Sequence, residues 1–395
     1  RLKTFTYPNS LGLFYSVMTE YLGFGAYDGE YMVMGLAPYG KRNPEILEIM
    51  SKFFEIGDGD YRVDLLLRNP VFFDQAIEEV DRWLHARRER SESAPITEKQ
   101  KDIAWALQHM LEETVLRLVA RNHEATGSKN LCLAGGVALN CKMNKRLVES
   151  EFVENIFVQP ASGDDGLAIG TAQVSHRKRG VLPRERLDHV YFGPGYTNDE
   201  IRERLEKFKL HYETLSDSEL IEKTARLLAD DKLVGWFQGR MEFGPRALGN
   251  RSILASPMKP EMKDLVNDIV KRRDGWRPFA PVVMEEKASE YFVNAFPSPF
   301  MTITFDVRPE ARAKIPAVTH VDGTARIQTV NARQNRRYYD LLAEFERLTG
   351  CAVLLNTSFN LKGEPIVNTP EDAIVDFFRS GLDVLAIGNF LLHKG

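Results

Sequence analysis

Between Gly239 and Ser252 the chain reads Gly-Arg-Met-Glu-Phe-Gly-Pro-Arg-Ala-Leu-Gly-Asn-Arg-Ser, setting Arg240, Arg246 and Arg251 among Gly239, Gly244 and Gly249. Arginine offers a planar fork of donors that matches phosphate or carboxylate oxygens two at a time. Glycine lets the backbone turn through positive φ and lets a ligand approach closely. The apolar run Leu233-Val-Gly-Trp-Phe237 leads directly into this stretch. A buried strand opening into a Gly-Arg loop reads as a site for an anionic small molecule.

More cations follow: Lys271-Arg272-Arg273, Arg277 in the rigid setting Trp276-Arg-Pro-Phe-Ala-Pro281, and Arg326. Most of the Lys271 to Arg273 run is expected on a solvated helix face, whereas a partly buried Arg277 wants an anion. Asn356, Thr357, Ser358 and Asn360 follow the apolar strand Cys351 to Leu355. Alone they are turn formers; beside several arginines they look like ligands for a small oxyanion. Gly135-Gly136, between a short apolar strand and a helix, suits either close approach of a nucleotide or an ordinary tight turn. Asp164 and Asp165, between Gly163 and Gly166, either favour a helix start or hold a cation. The eight histidines include no pair at i,i+3 or i,i+4 spacing, so this chain alone closes no histidine-rich metal site.

These residues need elements to hold them. Thr97 with Gln100 makes a capping box, Ile103, Leu107, Leu111, Val115 and Leu118 follow at helical spacing, and Gly127 is the expected stop. Ser10 to Leu22 has helical spacing, and Met32 to Gly40 ends in a Pro/Gly turn. Strands are expected at 130–134 and 155–159, helices at about 138–149 and from the acidic loop to near Gly180, and helical segments across 199–229. Strand, glycine turn, helix, strand, acidic loop, helix is an α/β pattern with ligand loops at strand ends. Arg82 to Ser93 is charge-rich and expected to be a solvated helix end or loop, and Val181 to Asn198 is the best linker candidate.

At 395 residues two domains are expected. A net charge of −4 gives no basic field for nucleic acid, and no nucleic-acid partner is expected. No apolar run approaches membrane-spanning length, so no membrane partner is expected either. Three cysteines without a C-x-x-C pair make a disulfide framework or thiolate zinc site a poor fit, and cytoplasmic is the expected location.

In these residues the chain resembles the carbamoyltransferase family that includes the nodulation-factor, cephamycin and tobramycin O-carbamoyltransferases. The matching motifs are Met34 to Gly40, Leu133-Ala-Gly-Gly-Val-Ala-Leu-Asn140, Gly163-Asp164 with Gly166, Gly239 to Ser252, Arg277 to Pro281, His320 to Val330 and Asn356-Thr-Ser-Phe-Asn360. The resemblance implies an α/β protein of two linked units. Residues 1–182 would be an actin-like ATPase (Kae1-like) carbamoyl-transfer domain, incomplete at its N-terminus. Residues 183–197 would be a linker, and 198–395 a YrdC-like domain that binds carbamoyl phosphate and ATP and forms carbamoyl adenylate. The first unit would then pass the carbamoyl group to a hydroxyl of a small-molecule or sugar acceptor. By the same resemblance Arg246, Lys271, Arg277 and Arg326 are the catalytic candidates, and Arg240, Arg246, Asn356 and Ser358 bind substrate and ATP. Gly135, Gly136 and Asn140 match the nucleotide loop of the first unit, and Asp164 matches its metal-binding aspartate. ATP is the implied co-substrate, with magnesium. Iron is the metal suggested for the first unit, its histidine ligands outside this chain, and a homodimer is compatible with the resemblance.

Two departures stand out. The family's His-x-x-x-His pair does not occur here, and Arg1 falls inside the family pattern, so the opening strands of the first domain are expected to be missing from this copy. Met32 stands where a lysine is expected. The alternative readings are threonylcarbamoyl transfer to tRNA and a binding remnant without activity.

Overall fold

In the computed structural model, which describes residues 2–70, 73–89, 95–181 and 187–394, the chain divides into two compact units, Arg1–Gly163 and Asp164–Gly395. The division falls earlier than the residue 182 expected from the sequence.

The first unit is built around the helix Glu98–Thr126. Thr97 and Gln100 form the capping box at its start, and Gly127 ends it at φ 69°. Its apolar stripe from Ile103 to Val115 is buried, against the helices Leu11–Tyr21, Glu30–Leu36 and Pro44–Ser51. Met32 is half-buried in the second of these, and nothing in the structure explains its place there. A small hairpin pairs β1 (Glu55–Ile56) with β2 (Tyr61–Arg62). Strands β3 (Asn130–Leu133) and β4 (Asn155–Val158) pair in parallel. Between them lie a 3-10 turn at Gly136–Leu139 and the helix Cys141–Val148. Charge-rich Arg82 to Ser93 leaves the helix Phe73–Leu84 as an irregular segment, of which residues 90–93 lie outside the described ones. Arg88 departs from the solvated expectation: it is buried, its guanidinium over the Phe24 ring.

The second unit carries an eight-stranded mixed sheet. Its strands in chain order are β5 (Glu213–Thr214), β6 (Val234–Phe237), β7 (Arg251–Ala255), β8 (Ala280–Met284), β11 (Gln328–Val330), β12 (Val353–Ser358), β13 (Val384–Ile387) and β14 (Phe390–His393). The intervening β9 (Thr304–Asp306) and β10 (Thr324–Arg326) form a separate antiparallel pair. The spatial order is β11-β8-β12-β7-β6-β13-β14-β5, parallel at β11–β8 and β6–β13 and antiparallel elsewhere. Every residue of β6, β7, β8 and β13 is buried, which requires cover on both faces. Helices Asp217–Ala229, Arg336–Thr349 and Pro370–Arg379 contribute it.

Two expectations change here. The helical stretch 199–229 is two helices, Asn198–Lys207 and Asp217–Ala229, with β5 between them. Strand β12 does not stop at Leu355: it continues through Asn356 and Thr357 to Ser358, in register with Leu254, Ile253 and Ser252 of β7. These polar residues are therefore fixed by a ladder and not by a turn. Of the stretch read as linker, 183–186 lie outside the described residues. Its described remainder runs along the Gly-Arg loop, with Gly193 N–H donating to Met241 O, Met241 N–H to Pro194 O and Phe243 N–H to Val190 O. Val190 packs with Leu248, Ala280, Phe300 and Met301. Among the described residues no helix is long and apolar enough to cross a membrane.

Candidate functional site

The Gly-Arg stretch connects β6 to the antiparallel β7 without regular secondary structure, so its backbone groups need other partners. Two charged side chains inside the connection supply many of them. Glu242, buried, accepts at Oε1 from the amides of Leu248 (2.7 Å), Asn250 (2.7 Å) and Arg251 (3.3 Å). Arg251, fully buried as the first residue of β7, donates to carbonyls: Nη1 to Gln238 O (2.7 Å), Asn250 O (3.0 Å) and Gly239 O (3.3 Å), Nη2 to Pro194 O (3.1 Å). Its guanidinium carbon lies 3.6 Å from the centre of the Phe237 ring, a cation–π contact in a dry setting. Burial pulls its pKa down to about 10, against the opposing pull of Glu242, and burial pushes the Glu242 carboxyl up. Arg240 is exposed, and its Nη2 and Nε hold Phe192 O (2.7 Å) and Gly193 O (2.9 Å).

Gly249 shows why glycine recurs in this loop. It sits at φ 102°, and a Cβ there would lie 2.2 Å from the Tyr338 ring. Its carbonyl accepts from Trp236 Nε1 and its amide donates to Ser252 Oγ. Leu248 O accepts from Gln328 Nε2 and from Tyr191 Oη, both at 2.8 Å. Asn356 Nδ2 reaches Ala247 O (3.3 Å) and Gln328 Oε1 (2.9 Å). Asn356 thus ties the loop segment beside Arg246 to β12.

Two residues further along that strand stands Ser358, which meets Lys271. The Lys271 Nζ donates to Ser358 O (2.5 Å) and Oγ (3.2 Å) and to Asn360 O (3.0 Å) and Oδ1 (2.7 Å). Lys271 is only 5% exposed, so the solvated-face expectation fails for it, while Arg272 is exposed. The reason is local geometry. A π-helical turn at Val266–Lys271 ends at Arg272 in the left-handed region, φ 46°, and this swings consecutive cations to different sides. Burial first, then the like charges of Arg273 and Arg277, push the Lys271 ammonium well below its usual pKa. Arg273 donates Nε to Asn267 Oδ1 and lies over the Phe279 ring. Lys271, Arg273 and Arg277 are thus near enough for their like charges to act on one another, with Asp376 opposing them at Lys271. Arg246, Arg277 and Arg326 are half-buried. Arg326 ends β10, two residues before the Gln328 that holds Leu248.

In the first unit Gly135 (φ 97°) and Gly136 are exposed, and a Cβ on either would meet nothing within 4 Å. The open side of this turn leaves room for a ligand. Asn140 faces inward. Its Nδ2 donates to Gln108 Oε1 (2.9 Å), and its Oδ1 accepts from Gln108 Nε2 (3.0 Å) and Met143 N (3.0 Å). Tyr15 Oη and Glu112 Oε1 complete this buried network on Gln108. Asp164 lies exposed at the first residue of the second unit. Among the described residues no group of three or more His, Cys, Asp or Glu side chains could hold a metal ion.

Sequence reasoning passed over Glu242 and Gln328, counted Arg273 only in a run expected to be mostly solvated, and left Asn360 among general polar donors. For Glu242 a signal existed: it is the one acid between Gly239 and Ser252. For Gln328 no local pattern announces that its amide faces the loop.

Comparison with known proteins places both halves of the chain. Residues 2–173 match the family model described as carbamoyltransferase N-terminus, and residues 225–394 the one described as carbamoyltransferase C-terminus. The chain is 43% identical to the nodulation protein NolO of Bradyrhizobium diazoefficiens, over 100% of this chain and 71% of that protein. It is 43% identical to the nodulation protein NolNO of Sinorhizobium fredii, over 100% of this chain and 57% of that protein. An uncharacterized protein of Synechocystis is also 43% identical, over 98% of this chain and 68% of its own length. The chain thus spans between 57% and 71% of the length of these relatives.

Proposed function

The chain belongs to the carbamoyltransferase family of enzymes, and from that premise we propose that its second unit forms carbamoyl adenylate for transfer to an acceptor hydroxyl. Carbamoyl phosphate loses phosphate to water and gives carbamate. The carbamate oxygen then attacks the α-phosphorus of ATP, and pyrophosphate leaves. The acceptor hydroxyl next attacks the carbamoyl carbon; it loses its proton, AMP departs, and a carbamate ester remains. The acceptor is a hydroxylated small molecule or sugar.

The observation that carries this reading is the buried Lys271 beside Arg273 and Arg277. Burial and like-charged neighbours disfavour the ammonium form, and an arriving anion favours it. The ammonium is then placed to neutralise charge that develops on phosphate as the adenylate forms. Arg246, Arg277 and Arg326 serve the same anions, Ser358 sets Lys271, and Asn356 sets the loop that bears Arg246. Arg240 acts through the backbone it clamps. In the first unit Gly135 and Gly136 receive the nucleotide, with Asn140 supporting the turn from beneath. This unit corresponds to the actin-like ATPase (Kae1-like) half and the second to the YrdC-like half. The test is incubation of the protein with carbamoyl phosphate and ATP. Pyrophosphate release that requires both substrates is expected, with AMP appearing once an acceptor is added. No pyrophosphate under any acceptor panel would overturn the proposal.

A further inference from the structure

We propose that Glu242 is the positioning residue of the donor loop: its buried carboxylate fixes the backbone from Phe243 to Asn250 and so sets where Arg246 stands. The inference rests on the reading of the second unit as the carbamoyl phosphate and ATP site. Glu242 precedes the turn that bears Arg246, and the amides it captures, those of Leu248, Asn250 and Arg251, follow that turn. One carboxylate oxygen thus closes the segment across its base. The turn itself needs Gly244 at φ 125° and Pro245, so little else inside it dictates a conformation. The other oxygen of Glu242 is buried and has no hydrogen-bond partner among the described residues. An incompletely paired buried carboxylate is expensive, and a short polar turn former could close a loop at lower cost. Arg251 compensates the charge from beneath while itself taking the carbonyls of the connection. Donors and acceptors of the loop are therefore drawn inward onto an opposite-charge pair. Arg246 stands on the turn so closed, and its neighbour Ala247 is tied through Asn356 to the strand that carries Ser358.

Glu242→Gln keeps the side-chain shape and one acceptor oxygen but removes the charge. Hydrogen exchange, read without substrate, is expected to speed up by about tenfold or more over 243–251 while 280–284 and 353–358 stay protected. In the same variant the Kd for carbamoyl phosphate, read by calorimetry, is expected to rise about fivefold or more; in an Arg246→Lys background the same change should raise it by less than about twofold. Unchanged exchange would overturn the assignment, as would an equal loss of affinity in both backgrounds. Should Glu242→Gln not fold, Glu242→Asp keeps the charge but retracts it from the amides, and carries the same expectations. A wild-type protein that binds no carbamoyl phosphate refutes the functional reading instead, and the exchange measurement then decides the role of Glu242 by itself.

Discussion

Lys271→Met separates the stability of the second unit from its function. The ammonium makes four contacts, to Ser358 O and Oγ and to Asn360 O and Oδ1. Three of those acceptors are only partly deprived by its loss. Ser358 O still accepts from Asn360 N–H, and Ser358 Oγ still donates to Asn360 Oδ1. Asn360 O loses its Lys271 donor, which costs about 1–3 kcal/mol. Against this, methionine relieves a buried cation whose pKa is already driven far down by burial, Arg273 and Arg277, and each unit of such depression represents about 1.4 kcal/mol. The two effects leave the variant within about 2 kcal/mol of wild type at neutral pH, on either side. Pyrophosphate formation, by contrast, should fall about 10²- to 10³-fold, the size of losing one preorganised charge at a reacting phosphate. The sign with pH is fixed. Between the depressed pKa of Lys271 and its ordinary 10.5, the unfolded chain holds a proton that the folded chain lacks. Wild-type stability therefore gains about 1.4 kcal/mol per pH unit from this group as pH rises through that window, and the variant gains nothing from it. Urea titrations at a series of alkaline pH values, paired with a pyrophosphate assay, read both quantities. A stability difference between the two proteins that does not change with pH, or activity that falls only as far as the folded fraction, would exclude these roles for Lys271.

Other outcomes follow from the same contacts. Carbamoyl phosphate binding above the depressed pKa of Lys271 should be accompanied by proton uptake, because an arriving anion restores the ammonium. Calorimetry in buffers of different ionisation enthalpy reads it, and uptake that persists in Lys271→Met would exclude this residue as its source. Gly249→Ala places a Cβ against the Tyr338 ring at a positive φ and should destabilise the protein by about 3 kcal/mol or more, read by urea denaturation. Gln108→Leu orphans buried groups of Asn140 and Tyr15 and should cost about 3 kcal/mol. Adding Asn140→Leu should recover part of that loss, and simple additivity of the two changes would show that the pair is not coupled.

What the sequence made legible was whatever a local signal controls. Thr97 with Gln100 and the terminal Gly127 bounded the long helix correctly, because capping is settled within a few residues. The apolar run before Gly239 was a strand for the same reason. The direction in which a polar side chain points was not legible, because the rest of the fold decides it. Asn140, read as a nucleotide-loop residue, faces Gln108, a partner 32 positions away. Lys271 looked like part of a solvated run until the π-turn and Arg272 turned it inward. Asn356 and Ser358, read as oxyanion ligands, are of types that taken alone favour turns, yet pairing with β7 outweighs that preference and holds them in a strand. In each case residue type was informative about chemistry and silent about address.

A run of arginines is not by itself a count of anion ligands. Of the three in the opening loop, Arg251 holds four main-chain carbonyls and Arg240 holds two. An irregular connection has no ladder to satisfy its backbone, and water cannot satisfy the part that is buried. Long forked donors and one carboxylate therefore do inside this loop what hydrogen-bonded neighbours do inside a sheet. That saturation makes the connection stiff without regular secondary structure, and stiffness is what a donor aimed at developing charge requires. A ligand cation on a loose loop would first have to be ordered, at about 1–2 kcal/mol of conformational entropy per backbone residue fixed. Here much of that ordering is done at folding, between two paired strands of the sheet. Under the proposed function, two arginines committed to backbone let a third, Arg246, meet its substrate already in place.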